Sequence, residues 1–246
     1  MATTNPDTPP MTRRDRRRQE TINDIKTAAR EQLAERGPAG ISLRGIAREL
    51  NITASAVHYY FPGREALLDA LILDGYNSLA EALRTAHEPA RDRPPAEQWM
   101  AVCHGHRSWA LQFASQYLLL YGHGGRVAGR RHPKTHEAMS GVVEVLFTVM
   151  RSAVATGDID NERIAAAIPP SLRNQLGKWR KMNGSVQSLP DGALAGCLIT
   201  YAQLHGAITL ELVGHIPPQL RDRAALFELE MLHAYTALRY GSSEAF

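Results

Sequence analysis

Between Ser42 and Leu73 the chain carries two short apolar segments joined by a tight polar turn, then at once a much longer one. Few folds accommodate that order. Ser42 is a good N-cap, and Leu43, Ile46, Ala47 and Leu50 follow at helical spacing. Asn51 tolerates the left-handed conformation that ends a helix, so the first segment is expected to stop there. Thr53 caps the second, a helix of under two turns running from Ala54 through Tyr59. Two helices this short, with a turn this brief, match the helix-turn-helix pattern, whose second helix enters the major groove of DNA.

The composition of the second helix supports this. Val57, Tyr60 and Phe61 are expected to point back into the domain, leaving Thr53, Ser55, Ala56, His58 and Tyr59 on the outer face. These side chains are small or planar, so the backbone can approach a duplex closely. They supply hydroxyls for phosphates, apolar groups for thymine methyls and an imidazole for base edges. Pro62-Gly63 breaks the helix, and Gly63 can cap the next one with its amides facing a phosphate and Arg64 beside them. Arg44, on the exposed first turn of the preceding helix, and Tyr60, at the end of the second, complete the DNA-contact set: Arg44, Thr53, Ser55, Ala56, His58, Tyr59, Tyr60 and Arg64.

From Ser42-Leu43-Arg44-Gly45-Ile46-Ala47 through Tyr59-Tyr60-Phe61-Pro62-Gly63-Arg64-Glu65-Ala66-Leu67-Leu68, the chain resembles the DNA-binding domain of the tetracycline-repressor (TetR) family, over about residues 17–75. The family often has Lys in place of Arg64, which keeps the charge, and Ser or Asn in place of Gly63, which makes a stronger cap. A second stretch, Tyr201 through Leu212, with His106 through Leu111 and Tyr117, is similar to a regulatory domain named for a Trp-His-Gly signature and found in one TetR branch. Here His205-Gly206 is preceded by Tyr201 and no tryptophan within that helix. The resemblance implies an all-α regulator, with a small DNA-binding domain and a larger helical domain for ligand binding and dimerisation.

Charge agrees with that division. The net charge of +3 says little, but residues 11–64 hold eleven Lys and Arg against six Asp and Glu. Residues 1–16 are expected to form a disordered basic arm in which Arg13, Arg14 and Arg16 begin a cluster continued by Arg17 and Arg18, placed to reach phosphates or the minor groove. The DNA-binding domain then takes 17–75 and the regulatory domain 76–242. Cys103 and Cys197 lie far apart in apolar surroundings and read as free thiols of a reducing cytoplasm. No apolar signal core follows the N-terminal basic residues, and the uncharged run 193–210 is diluted by glycine and polar residues, so neither secretion nor a membrane span is expected.

Beyond Arg64 a helix should continue to about His87, too long for the DNA domain alone and therefore a link between the two parts. Further helices are expected at 96–113, 115–121, 133–156, 170–182, 191–214 and 217–240, with a flexible basic connector at 122–129. His104 and His106 fall on different sides of a helix, and Pro133 spoils the spacing of His132 with His136, so no metal or cofactor is expected. No Gly-rich phosphate loop, nucleophile elbow or paired-carboxylate arrangement appears, so no enzyme is expected either. Trp99, Cys103, His106, Trp109, Phe113, Tyr117 and Phe147 are the candidate lining of an apolar ligand pocket.

A single helix-turn-helix contacts too few base pairs for a specific site, so a homodimer is expected. Its pairing surface is placed on the last two helices at Leu204, Ile208, Leu212, Phe227, Leu232 and Tyr235. The function these readings imply is a regulator, released from a palindromic operator by a small hydrophobic or aromatic effector. The alternative is an architectural DNA-binding protein that needs no ligand.

Overall fold

Thr12 opens the first helix. Its hydroxyl accepts the backbone N–H of Asp15 at 3.1 Å, and the Asp15 carboxylate accepts the Thr12 N–H at 3.3 Å. This capping box starts α1 (Arg13–Arg36) within the basic cluster, and Thr12 holds the Asp15 carboxyl below its ordinary range. The arginines from Arg13 to Arg18 are therefore helical, correcting the expectation of a disordered arm to residue 16. Arginine is a good helix former, and a Thr-x-x-Asp box supplies the nucleus that a charge run conceals.

The computed structural model describes residues 12–122, 133–182 and 184–240; residues 1–11, most of the expected connector, and His132 lie outside them. The described residues form eleven α-helices and no strand, the all-α class expected. They fall into two compact units.

Among the described residues, the first unit takes 12–72 and 115–122. It contains α1, α2 (Leu43–Glu49), α3 (Ala54–Tyr60) and the first turns of α4 (Arg64–His87). Its core is Ile25, Ala29, Leu33, Ile46, Val57 and Leu67, all almost fully buried. Buried Gln32 ties α1 to the start of α2 by accepting the Ser42 N–H at 2.9 Å. Asn51 adopts φ 54°, the left-handed turn its side chain tolerates, and α3 follows directly.

The second unit takes Leu73–Ala114 and the described residues from Pro133 on. It holds the rest of α4, α5 (Pro95–Gln112), α7 (Pro133–Ala155), α8 (Asn161–Ala166), α9 (Pro170–Met182), α10 (Asp191–Leu212) and α11 (Arg223–Tyr240); α6 (Ala114–Tyr121) falls almost wholly in the first. α10 is the hub, packed against α5, α7, α8, α9 and α11. Arg107 of α5 grips Glu211 of α10 with two N–H···O bonds of 2.7 and 2.6 Å, which raises the already high guanidinium pKa. α7 and α10 are long and apolar enough to cross a membrane by composition, but nearly half of each is buried in this core.

Three contacts build α4 into the second unit. Trp109 donates its indole N–H to Ser78 at 3.0 Å. Gly105 of α5 lies so close to α4 that an added methyl would sit 2.5 Å from the Ala86 Cβ. At Gly141 of α7 an added methyl would sit 3.6 Å from the Ala80 Cβ. α11 starts at Arg223 instead of 217, because Asp222 takes the capping role and accepts the Ala225 N–H at 2.9 Å.

Candidate nucleic-acid interface and regulatory clefts

α3 is anchored by one residue and presents the others. Val57 is fully buried, Tyr59 is 70% exposed, and Thr53, Ser55 and His58 are exposed. Thr53 caps the helix by accepting the Ala56 N–H at 3.1 Å, and its hydroxyl lies 3.1 Å from that of Ser55. Tyr59 and half-buried Tyr60 meet edge to face, with ring centroids 5.1 Å apart. Arg44 is exposed on α2. Arg64 is exposed too, but its guanidinium donates to the Pro38 carbonyl at 2.7 Å. It therefore braces the loop between α1 and α2 with one of its N–H groups while the others remain for a second partner.

Beside the two tyrosines lies a polar groove of about 780 Å³, lined by Arg13, Arg14, Arg17 and Arg18 together with Thr21 and one carboxylate, that of Asp15. The sequence reading placed Arg13, Arg14 and Arg16 in a disordered arm reaching for phosphates, continued by Arg17 and Arg18. Helical spacing instead sets them in two adjacent rows, with Arg17 and Arg18 one turn beyond Arg13 and Arg14. The Thr-x-x-Asp box was the signal that could have shown it.

A family model described as "Bacterial regulatory proteins, tetR family" matches residues 25–71, and one described as "Tetracyclin repressor-like, C-terminal domain" matches 99–234. The chain belongs to the TetR family. It is 32% identical to the HTH-type transcriptional regulator Mb1846 of Mycobacterium bovis over 226 residues, which is 89% of this chain and 92% of that protein. The crystal structure of the putative regulatory protein SCO4313 superposes with a TM-score of 0.70 at 29% identity, over 91% of this chain and 98% of that one. The fold also matches the regulator FadR of Bacillus subtilis, solved with stearoyl-CoA, at a TM-score of 0.58 and 15% identity over 89% of this chain and 98% of that one.

The residues read from the sequence as a pocket lining are divided between the two units of this TetR chain. Trp99, Cys103, His106 and Trp109 are packed in the second unit's core, and Tyr117 belongs to the first unit. Trp99 donates its indole N–H to the Met231 carbonyl at 2.9 Å and stacks on Tyr235. Half-buried Phe113 tilts against Trp109 at 5.7 Å. His106 meets His205 edge to face at 5.0 Å. Burial holds both imidazoles neutral, pushing His106 well below the ordinary histidine range and His205 down to about 4. Burial likewise pushes the Cys103 thiol up and that of Cys197 up to about 12, so both are unreactive.

Two apolar clefts open among the described residues of the second unit. One, of about 380 Å³, is formed by Trp99, Met100, Leu232 and Tyr235. The other, of about 260 Å³, is formed by α7 and α9, with Phe147 the one residue of the expected set that lines it.

The expected pairing surface is corrected in the same way. Leu204, Ile208, Phe227 and Tyr235 are buried in the chain's own core. Leu212 is half-buried and Leu232 is 50% exposed. Both helices carry apolar residues on several sides, so spacing alone cannot say which stripe faces inward. The exposed apolar stripes are Leu198, Ile199 and Leu210 on α10 with Val213 just past its end, and Leu229, Leu232 and Tyr240 on α11.

Proposed function

We propose that this TetR regulator is a cytoplasmic repressor that binds a palindromic operator as a homodimer and leaves it when a small hydrophobic or aromatic effector binds the second unit. The observation that carries this reading is α3, a helix held by Val57 that offers Thr53, Ser55, His58 and Tyr59 to solvent beside a groove of arginines. Thr53, Ser55 and Ala56 approach the duplex, His58 and Tyr59 read base edges, and Tyr60 supports Tyr59 from behind. Arg44, Arg64 and the four arginines of α1 take phosphates. This division gives affinity to the arginines and specificity to α3.

Two such heads must sit about 34–36 Å apart to enter successive major grooves. The exposed stripes of α10 and α11 supply the pairing surface, and Gly206, with open space around it, lets a partner helix come close. Release follows a population shift. The effector favours a conformation in which α4 carries the heads out of register, and it must bind that state more tightly than the DNA-bound one.

Footprinting tests the assignment of α3. Tyr59→Ala is expected to lose the specific footprint while sedimenting as the same dimer; a retained footprint would place recognition elsewhere. Leu229→Asp with Ile199→Asp is expected to yield monomers.

A further inference from the structure

We propose that the cleft between α7 and α9 is the effector site and that its ligand is a one- or two-ring aromatic compound bearing an acidic group. The proposal rests on the regulatory reading above and adds the place and chemistry of the effector.

The cleft is a slot built of aromatic and flexible apolar side chains. Met139, Val143 and Phe147 come from α7, and Trp179 faces them from α9. The Phe147 and Trp179 rings meet edge to face at 6.3 Å and 61°, so a flat guest can lie against one ring and meet the edge of the other. A volume of about 260 Å³ is below the usual range for drug-sized ligands and far too small for a peptide helix. It suits a small ring system better than a long acyl chain.

Polar groups sit at fixed places around this slot. His136 and Ser185 are part of its lining and can hydrogen-bond a hydroxyl or carboxylate. α9 carries Arg173, Lys178, Arg180 and Lys181 and no acidic residue. Arg180 is paired with Asp191 and Arg173 donates to the Ala165 carbonyl, but Lys178 and Lys181 are exposed and bias this side of the molecule toward anions.

The slot can also open and report. Leu176 is the one fully buried residue of α9, so this helix is held to the core more lightly than its neighbours. α7 is less free. Gly141, within two residues of the lining residues Met139 and Val143, lies against Ala80 of α4. A ring wedged between α7 and α9 therefore presses on a helix that bears directly on α4. The larger cleft at Trp99 includes Leu232, a member of the stripe assigned above to the partner subunit, so dimerisation would cover it.

The test titrates the full chain with 4-nitrobenzoate, an acidic single ring whose nitro group quenches indole emission, by calorimetry and tryptophan fluorescence, with decanoate as the aliphatic comparison. The expected result is one saturable site per chain with quenching, and decanoate at least tenfold weaker. Trp179→Phe should lose most of the quenching yet keep its calorimetric affinity within about threefold, because a ring remains. Val143→Trp, which fills the slot from a half-buried position, should weaken binding at least tenfold with an unchanged melting curve. No calorimetric binding up to millimolar probe, indifference to Val143→Trp, or tighter binding of decanoate would overturn the proposal. So would cleft binding that leaves operator affinity unchanged. Operator selection run in parallel separates the two readings: specific DNA binding without probe binding sinks this inference alone. Probe binding without any specific operator sinks the regulatory reading instead.

Discussion

If the groove beside α3 is a phosphate channel, its arginines set the salt dependence of DNA binding. Each phosphate neutralised contributes about 0.9 to the slope of log K against log salt concentration. Arg13, Arg14, Arg17 and Arg18 line the groove on each head, so replacing all four by Gln should lower the slope by up to about 3.6 per head, or about 7 for a dimer. Gln is nearly as good a helix former as Arg, and all four residues are exposed outside the Thr12–Asp15 capping box. Circular dichroism and the melting temperature should therefore hardly change. Fluorescence anisotropy with a labelled operator, across a salt series from 50 to 200 mM, measures the slope directly. Operator and random duplexes should lose affinity together, because phosphate contacts carry no sequence information. A slope reduced by less than about one unit, or a loss confined to the operator, would refute the phosphate assignment.

At Gly105 an added methyl lies 2.5 Å from the Ala86 Cβ, so Gly105→Ala should force α5 and α4 apart and cost about 1–3 kcal/mol in urea denaturation. Gly141→Ala, whose methyl lies at an ordinary 3.6 Å from the Ala80 Cβ, should be tolerated, whereas Gly141→Leu should displace α4 and weaken operator binding without ligand in a gel-shift assay. His205 titrates near 4 in the fold against an ordinary 6.5, so the unfolded chain binds its proton first. Stability is complete above pH 6.5 and falls by about 3 kcal/mol as the pH drops toward 4, with His106 acting in the same direction. His205→Gln should flatten the stability-versus-pH curve over that window, as followed by chemical denaturation.

The helix-turn-helix was legible because several short-range signals agree there: the Ser42 and Thr53 caps, the left-handed Asn51 and the Pro62-Gly63 break. Each acts within a few residues, so the sequence states it locally. α4 was legible from end to end for the same reason, its apolar stripe being continuous from Leu67 to Leu83. What failed to show was always a choice between faces. α10 and α11 are apolar on several sides, and only the packed core reveals that Leu204 and Ile208 point inward while Ile199 and Leu210 point out. The aromatic residues of α5 share that ambiguity, since a tryptophan in a core and one lining a cleft have the same spacing along a helix. α8 went unseen because it is six residues long with Ile164 as its one buried side chain.

α4 is where these local and long-range features meet. Its first turns belong to the DNA-reading unit and its remainder to the other, so one continuous helix belongs to both. At Gly105 and Gly141 its neighbours approach without a side chain between them. A flexible side chain at Gly105 would absorb a small displacement by changing rotamer, whereas backbone pressed against Ala86 cannot; at Gly141 room for one methyl remains. A shift of α5 therefore has to be taken up by α4 itself, and a shift of α7 once it has closed the gap at Ala80. On the regulatory reading proposed above, an effector need supply only the difference in affinity between two positions of that helix, and a hundredfold difference, about 2.7 kcal/mol, is within reach of a single well-packed aromatic ring.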